Sequence, residues 1–466
     1  MKTAPLFAAW IVAAAVALPP SFSAAETEWK AGLASVKITP EMPVMMSGYA
    51  NRIRPFERVE QHIYAKAIVL EDRNGHRAVI VTSDLIGMPS WFAEPLAEQI
   101  GAKTGLKREQ IMFTWAHNHA GPSLSMKEAP GPGVALTDAK NRVVYTKWLQ
   151  QRLLELVVNA NTRLESAKLS HGRGVAMFVM NRREFTLKGV ILGVNPQGPA
   201  DRSVPVLRID SPDGKPRAIL FGAASHNTTL GSKNYDLCGD YAGFAQHYLE
   251  SKYPGVQAMF MLGCAGDANP YPRDTMEATK EHGATLGREV ARVVETKLRP
   301  IGGPLKLVFG HADVPLMPMT KAELAPLAAN SPSWQIGNAK QMLAMLERGE
   351  KLPTHFRAPI AVWQFGTDLT MVALSGEVVV DYVYFVEKAL GPLNLWVAGY
   401  TNDGFGYLPS ARVIAEGGYE NRGLSSGDGW FAPEAQDAIV AKVKELARQV
   451  GRSSDAARLS AAVAPR

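Results

Sequence analysis

One pattern occurs three times in this chain and restricts what it can fold into: a strand, a tight turn, a returning strand, then a polar residue. The first copy runs over 63–70, turns at Asn74-Gly75, returns over 78–82 and reaches Ser83-Asp84. The second runs over 204–209, turns at Asp213-Gly214, returns over 218–221 and reaches Ser225-His226. The third runs over 358–365, turns near Gly366-Thr367-Asp368, returns over 369–374 and reaches Gly376-Glu377. Asn-Gly and Asp-Gly supply the positive φ that a two-residue hairpin turn needs. The returning strands are nearly all apolar, as strands buried on both faces are. Three more apolar runs end in polar groups: 110–116 in His117-Asn118-His119, 257–262 in the loop holding Asp267, and 393–399 in the loop from Asn402 to Tyr407. Open α/β sheets bind ligands beyond the carboxyl ends of their strands. These six ends are therefore expected to converge on one crevice. Apolar stripes at helical spacing over 145–160 and 439–450, with helical stretches over 93–104, 241–252 and 276–297, supply covering helices. The expected fold is α/β, a mixed β-sheet core with flanking helices and an active-site crevice at the strand ends.

The first 25 residues read as a secretory signal peptide. Lys2 gives the charge, 6–18 the apolar run, and Ser23-Ala24-Ala25 the small residues before Glu26. A periplasmic or secreted protein is expected, with one catalytic domain over 26–450 and a flexible Ala/Ser/Arg-rich tail over 451–466. The formal net charge of +6 suits anionic surfaces, and peripheral contact with a membrane is consistent with it. No Lys/Arg block interleaves with aromatics, which argues against nucleic acid as a partner. Cys238 and Cys264 either pair in an oxidising compartment or stay as buried free thiols. They form no CxxC, so a thiolate zinc site is excluded. The Pro- and Met-rich segment 314–352, helical near 339–348, interrupts the strand pattern. It reads as an insertion, either a lid over the crevice or a helix covering a sheet edge.

In an extended strand His117 and His119 point the same way, toward a metal or a reacting group. Two imidazoles and a carboxylate with an open position form the ligand set of many hydrolytic zinc sites. His117, His226 and Glu377 provide that set at strand ends. Each also has a plain reading: a hydrogen-bonded strand-end pair, a loop histidine, a helix-start carboxylate. The remaining histidines have no acidic or imidazole company at ligand spacing. The chain has no GxSxG elbow, phosphate loop, GxGxxG or HExxH motif. Those absences disfavour a serine hydrolase, an NTPase, a Rossmann dehydrogenase and a thermolysin-like protease.

Seven blocks in order, spread over 34–420, carry a family likeness. They are ASVKITPEMPVMMSGYA; AKAIVLED with AVIVTSDL; TWAHNHAGPSL; AASHNTTLG followed by CGDYAGFAQHYLE; MLGCAGDANP; LSGEVVVDY; and GYTNDGFGYLPSARVIAEGGYE. Together they resemble the catalytic domain of the neutral/alkaline non-lysosomal ceramidases. The resemblance implies a zinc ion, Zn2+, held by two His, a Glu and a Tyr, here His117, His226, Glu377 and Tyr407, with His119 facing the substrate. The departures are Ser375 for the Pro of a Pro-Gly-Glu block and Pro409-Ser410 for the Thr-Thr after the ligand tyrosine. The 314–352 segment and the family's C-terminal immunoglobulin-like domain also find no match.

The resulting expectation is an exported zinc amidohydrolase that cleaves a linear N-acyl amide, ceramide-like lipids foremost. His119 is the first candidate to protonate the departing amine. Asp267 is the second, or else bonds a metal-ligating imidazole. Asp84 and Asp240 are expected to hold strand-end loops. Met42, Met45, Met46 and Tyr49 either line an acyl-chain groove or belong to the core. The alternatives are the same site acting on another amide or ester, and a non-catalytic binding protein of this fold.

Overall fold

All three hairpins form, and each continues through a helix into a strand parallel to its returning arm. The computed structural model describes residues 29–128, 135–330 and 333–452. The expected signal peptide and residues 453–466 of the expected tail lie outside them. Strand β1 (Trp29–Lys37) precedes the first hairpin, β2 (Tyr64–Asp72) and β3 (Arg77–Ser83). Helix α1 (Ser90–Thr104) then leads to β4 (Ile111–Trp115), parallel to β3 with Val81 opposite Phe113. Helix α2 (Leu136–Asn161) and β5 (Glu165–Val175) precede the second hairpin, β6 (Ser203–Asp210) and β7 (Pro216–Ala223). Helix α3 (Asp240–Lys252) leads to β8 (Gln257–Leu262), parallel to β7. After α4 (Met276–Val294), β9 (Arg299–Ile301) and β10 (Leu305–Pro315) comes the third hairpin, β11 (His355–Phe365) and β12 (Leu369–Leu374). Helix α5 (Asp381–Leu390) leads to β13 (Leu395–Ala398), parallel to β12.

The large sheet runs β8-β7-β6-β5-β1-β2-β3-β4, with β9 added on β5; a second sheet runs β10-β11-β12-β13. The sheets face each other through one buried cluster. Trp29, Ile68, Ile80 and Met112 meet Trp363, Phe365, Met371 and Trp396 there. Helices α1 to α4 cover the outer face of the large sheet. Helix α5 and the C-terminal helix Ala435–Gln449 cover that of the small one. Strand alternation explains why the returning strands are apolar throughout. On β3, Val79 and Val81 face the helices while Ala78 and Ile80 face the other sheet. One consequence is positional: each of β3, β7 and β12 shares the direction of its parallel partner, so every hairpin yields a pair of adjacent carboxyl ends.

Some boundaries differ from expectation. Arg452, inside the expected tail, is buried and donates to the carbonyls of Leu390, Gly391 and Leu393, so the packed chain runs past 450. The 314–352 segment begins inside β10 and then forms two helices, Lys321–Asn330 and Ser333–Glu347. Asn338 donates to the carbonyls of Arg422 and Leu424, and Gln341 to that of Ser426, so the second helix braces the 422–426 loop. Cys238 and Cys264 are free, buried and in separate apolar clusters. A hairpin of Val179–Thr186 and Gly189–Asn195 went unread in the sequence; its turn lacks the usual Asn-Gly or Asp-Gly.

Trp363 is fully buried between the sheets and donates its indole N–H to the carbonyl of Glu109 at 3.0 Å. Trp363→Ala should cost about 3–5 kcal/mol of stability, read from denaturant unfolding.

Candidate metal centre

The site begins where β4 stops. Trp115 is its last strand residue, and His117 adopts a left-handed φ of 55°. The expected strand alternation therefore does not orient the two imidazoles; a kink does. Asn118 holds the kink. Its side chain donates to the carbonyls of Asp84 at 3.1 Å and Cys238 at 2.7 Å and accepts from the Ala120 N–H at 2.8 Å. The neighbouring chain end is tied in as well, since the His119 N–H donates to the Asn227 carbonyl at 3.1 Å. Beyond β7, the His226 N–H donates to the Ala268 carbonyl at 3.0 Å. Beyond β12, Gly376 takes φ of 76°, and a Cβ there would lie 2.5 Å from the Phe405 ring. Only glycine turns the chain so that Glu377 enters the site. Glu377 pairs in parallel with Tyr407, which brings that side chain alongside.

The side chains meet closely. Glu377 Oε2 lies 3.1 Å from His117 Nε2 and 3.1 Å from His226 Nε2. His119 Nε2 lies 3.2 Å from His117 Nε2, and the Tyr407 hydroxyl 3.4 Å from His226 Nε2. One ligand nitrogen each from His117, His119 and His226 lie within 4.8 Å of one another, a spacing that a single metal ion bridges. Both inner imidazoles have a fixed tautomer. His117 Nδ1 faces the Ile86 carbonyl at 2.8 Å, and His226 Nδ1 faces the Ala265 carbonyl at 2.7 Å. A carbonyl only accepts, so each Nδ1 carries the hydrogen and each Nε2 of the neutral ring offers a lone pair.

Charge states agree with that reading. Burial, then the positive charge of Arg182, pushes the His226 pKa down to about 3. Burial and the neighbouring imidazoles lower that of His119. Burial works against ionising Glu377, but His117 and His226 outweigh it and hold the carboxyl well below its usual range. The neutral His226 ring and the Glu377 carboxylate thus turn acceptor atoms to one place, beside His117 Nε2. A proton relieves one of these contacts; a divalent cation relieves all of them, so the residues fit a metal.

Around this core the structure adds residues that sequence reasoning missed. Arg182 Nη2 donates to the Tyr407 hydroxyl at 2.8 Å, and its Nε to Glu420 at 2.9 Å. Tyr400 has φ of 54°, its ring centre is 4.8 Å from that of His117, and its buried hydroxyl has no partner among the described residues. The apolar run entering Tyr400 was its only signal; Arg182 had none, because Tyr407 and Glu420 lie more than 200 residues away. Asp267 is corrected in one of its two expected roles, the bond to a metal-ligating imidazole. Its carboxylate accepts from the Val380 N–H at 2.8 Å and from Asn181 at 3.2 Å, and it bonds none of the three histidines. The Ala265 and Ala268 carbonyls orient His226 instead. Asp84 and Asp240 do hold loops, accepting from Tyr64 and Gln246 and from Leu230 respectively.

A groove of about 500 Å³ opens onto His117, Glu377 and Tyr400. Met45, Met46 and Tyr49 line it, together with Trp91, Trp115 and Leu124; Met42 packs against the core.

Residues 29–270 match the family described as neutral/alkaline non-lysosomal ceramidase, N-terminal. The chain belongs to that family. Neutral ceramidase B of Dictyostelium discoideum is 24% identical over 274 residues, which is 54% of this chain and 37% of the relative. The chain therefore matches little more than a third of that relative's length. Among solved structures, neutral ceramidase from Pseudomonas aeruginosa superposes with a TM-score of 0.70 at 18% identity, covering 92% of this chain and 75% of the other. A ceramidase complexed with C2 gives 0.68 at 18% identity, with 92% and 77% covered. These likenesses establish the fold. The family match includes His117, His119 and His226, whereas Glu377 and Tyr407 lie beyond it.

Gly376→Ala should destabilise the protein by about 1–3 kcal/mol, from the left-handed φ and the Phe405 clash together. It should also lower metal content, because Glu377 moves with the turn; calorimetric melting and metal analysis of the purified protein read the two effects.

Proposed function

We propose that this chain is an exported, zinc-dependent amidohydrolase that cleaves a linear N-acyl amide, with ceramide-type lipids the first class to try. The observation that carries this reading is the convergence of His117 Nε2, His226 Nε2, Glu377 Oε2 and the Tyr407 hydroxyl on one place. His117, His226, Glu377 and Tyr407 would hold the metal. When bound, zinc supplies a water that is nucleophilic near pH 7 and a Lewis acid for the acyl carbonyl.

The chain's own groups do the rest. His119, kept neutral by burial, takes a proton at Nε2 from the attacking water and passes it to the departing amine nitrogen as the C–N bond breaks. The need is chemical, since an amide anion is a poor leaving group. Arg182 donates to the Tyr407 oxygen and so fixes that hydroxyl beside the carbonyl oxygen as negative charge grows there. The His117 and His226 rings keep their orientation because backbone carbonyls hold their Nδ1 hydrogens. Met45, Met46, Trp91 and Leu124 give the acyl chain an apolar wall that excludes water.

The apolar hairpin is a candidate for peripheral membrane contact. Phe185, Ile191 and Leu192 on Val179–Thr186 and Gly189–Asn195, and Leu187 in the turn between them, are exposed; the strand pair also carries Arg182. A periplasmic or secreted location follows the signal-like first 25 residues and is part of the proposal.

The test is hydrolysis of an N-acyl amide panel, including a fluorescent ceramide, by purified protein with and without a zinc chelator. Chelator-sensitive release of fatty acid is expected, and cleavage that survives metal removal would refute the mechanism. Variants separate the roles. His226→Ala should lose bound metal. His119→Ala should keep it and lose about 10²–10⁴-fold in kcat.

A further inference from the structure

The groove that opens on His117 and Glu377 carries more positive charge than a neutral lipid amide needs. Arg52 and Arg142 both line it, and among the described residues Glu377 is its one carboxylate. Arg52 is spent on backbone carbonyls, donating to those of Ser47 at 2.6 Å, Asn234 at 3.0 Å and His119. Among the described residues it has no carboxylate partner, and burial lowers its pKa. Arg142, on α2, is different. Arg142 is half-buried; its Nε is buried with no hydrogen-bond partner, its two Nη atoms are not so enclosed, and among the described residues no carboxylate pairs with it. Burial alone lowers its pKa, with no neighbouring charge acting against that. A half-buried guanidinium costs free energy unless something pairs with it. The space beside Arg142 is the groove itself, already walled by Met46, Trp115 and Leu124 for an apolar chain.

We propose that Arg142 is the receptor for a negatively charged group on the substrate, so that the site selects N-acyl amides bearing a carboxylate or phosphate over neutral ones. The guanidinium fork matches either anion bidentately. Arg52, fixed by its carbonyl cage, adds a long-range positive field without direct contact. The ligand is then an amphiphile, with its acyl chain against the methionine and tryptophan wall and its anion on Arg142. The inference rests on the reading of this groove as the site of an N-acyl amide hydrolase; it keeps that reaction and places an anionic amphiphile ahead of a neutral ceramide as its substrate.

The test compares binding, by titration calorimetry, of N-decanoylglycine, N-decanoylethanolamine phosphate and the neutral N-decanoylglycinamide to purified protein, each below its critical micelle concentration. The wild type should bind at least one anionic probe about tenfold more tightly than the neutral one. The better of the two identifies carboxylate or phosphate as the natural group. Arg142→Gln should reduce that preference to less than about threefold, and Arg142→Lys should recover part of it, since it restores the charge without the fork. Arg142→Met, which retains the packing of the stem, repeats the test if the Gln variant does not fold. Equal affinities in the wild type, or a preference unchanged in Arg142→Gln and Arg142→Met, would overturn the proposal. Chelator-sensitive turnover tests the reaction and charge-dependent binding tests Arg142, so either can fail while the other stands.

Discussion

Parallel pairing after each hairpin is the constraint on which the site depends. A hairpin alone sends its returning strand back and ends it at a free edge. Here each returning strand gains a parallel neighbour through a helix, as β4 does on β3, β8 on β7 and β13 on β12. Parallel partners end side by side, so the six carboxyl ends come as three pairs, and residues just beyond β4, β7 and β12 meet in one cluster. The tryptophans and phenylalanines between the sheets then set how far apart those ends lie. Trp363 and Trp396 on one sheet and Trp29 on the other fill that layer. This is why Glu377, from the small sheet, meets His117 and His226, from the large one, at 3.1 Å each.

Much of this was legible because it is local. Asn74-Gly75 and Asp213-Gly214 mark their turns without help from the rest of the chain, and both glycines have the positive φ the turn requires. His117, His226 and Glu377 were legible as strand-end residues because apolar runs point to them. The existence of a second sheet was not. A strand apolar on both faces reads the same whether its far side meets a helix or another sheet, and β3 meets one on each side. The imidazole geometry was misread for a related reason. Period-two alternation assumes an extended chain, and the left-handed φ of His117 depends on Asn118 reaching the Asp84 and Cys238 carbonyls, contacts no local rule supplies.

Arg182 and Arg183 illustrate the limit most sharply. Both are adjacent in an unremarked strand, yet both are buried. Arg182 bonds Glu420 at 2.9 Å, while Arg183 bonds both Glu420 and Glu416. Buried pairs of this kind add little net stability, because desolvation offsets much of the attraction, but removing one partner leaves an uncompensated charge. Their value here is positional. The pair Arg182–Glu420 joins a strand inside the family-matched half to a loop beyond it, and Arg182 also grips the Tyr407 hydroxyl. Tyr407 is in turn paired to Glu377 through backbone. The arginine therefore fixes the direction of the Tyr407 hydroxyl, which among the described residues has no backbone hydrogen bond to hold it. Neutralising Glu420 would loosen Arg182 first and Tyr407 second, while His117 and His226 kept their carbonyl supports. The two imidazoles and the tyrosine are thus held by independent means, and the tyrosine's hold is the one built from charge.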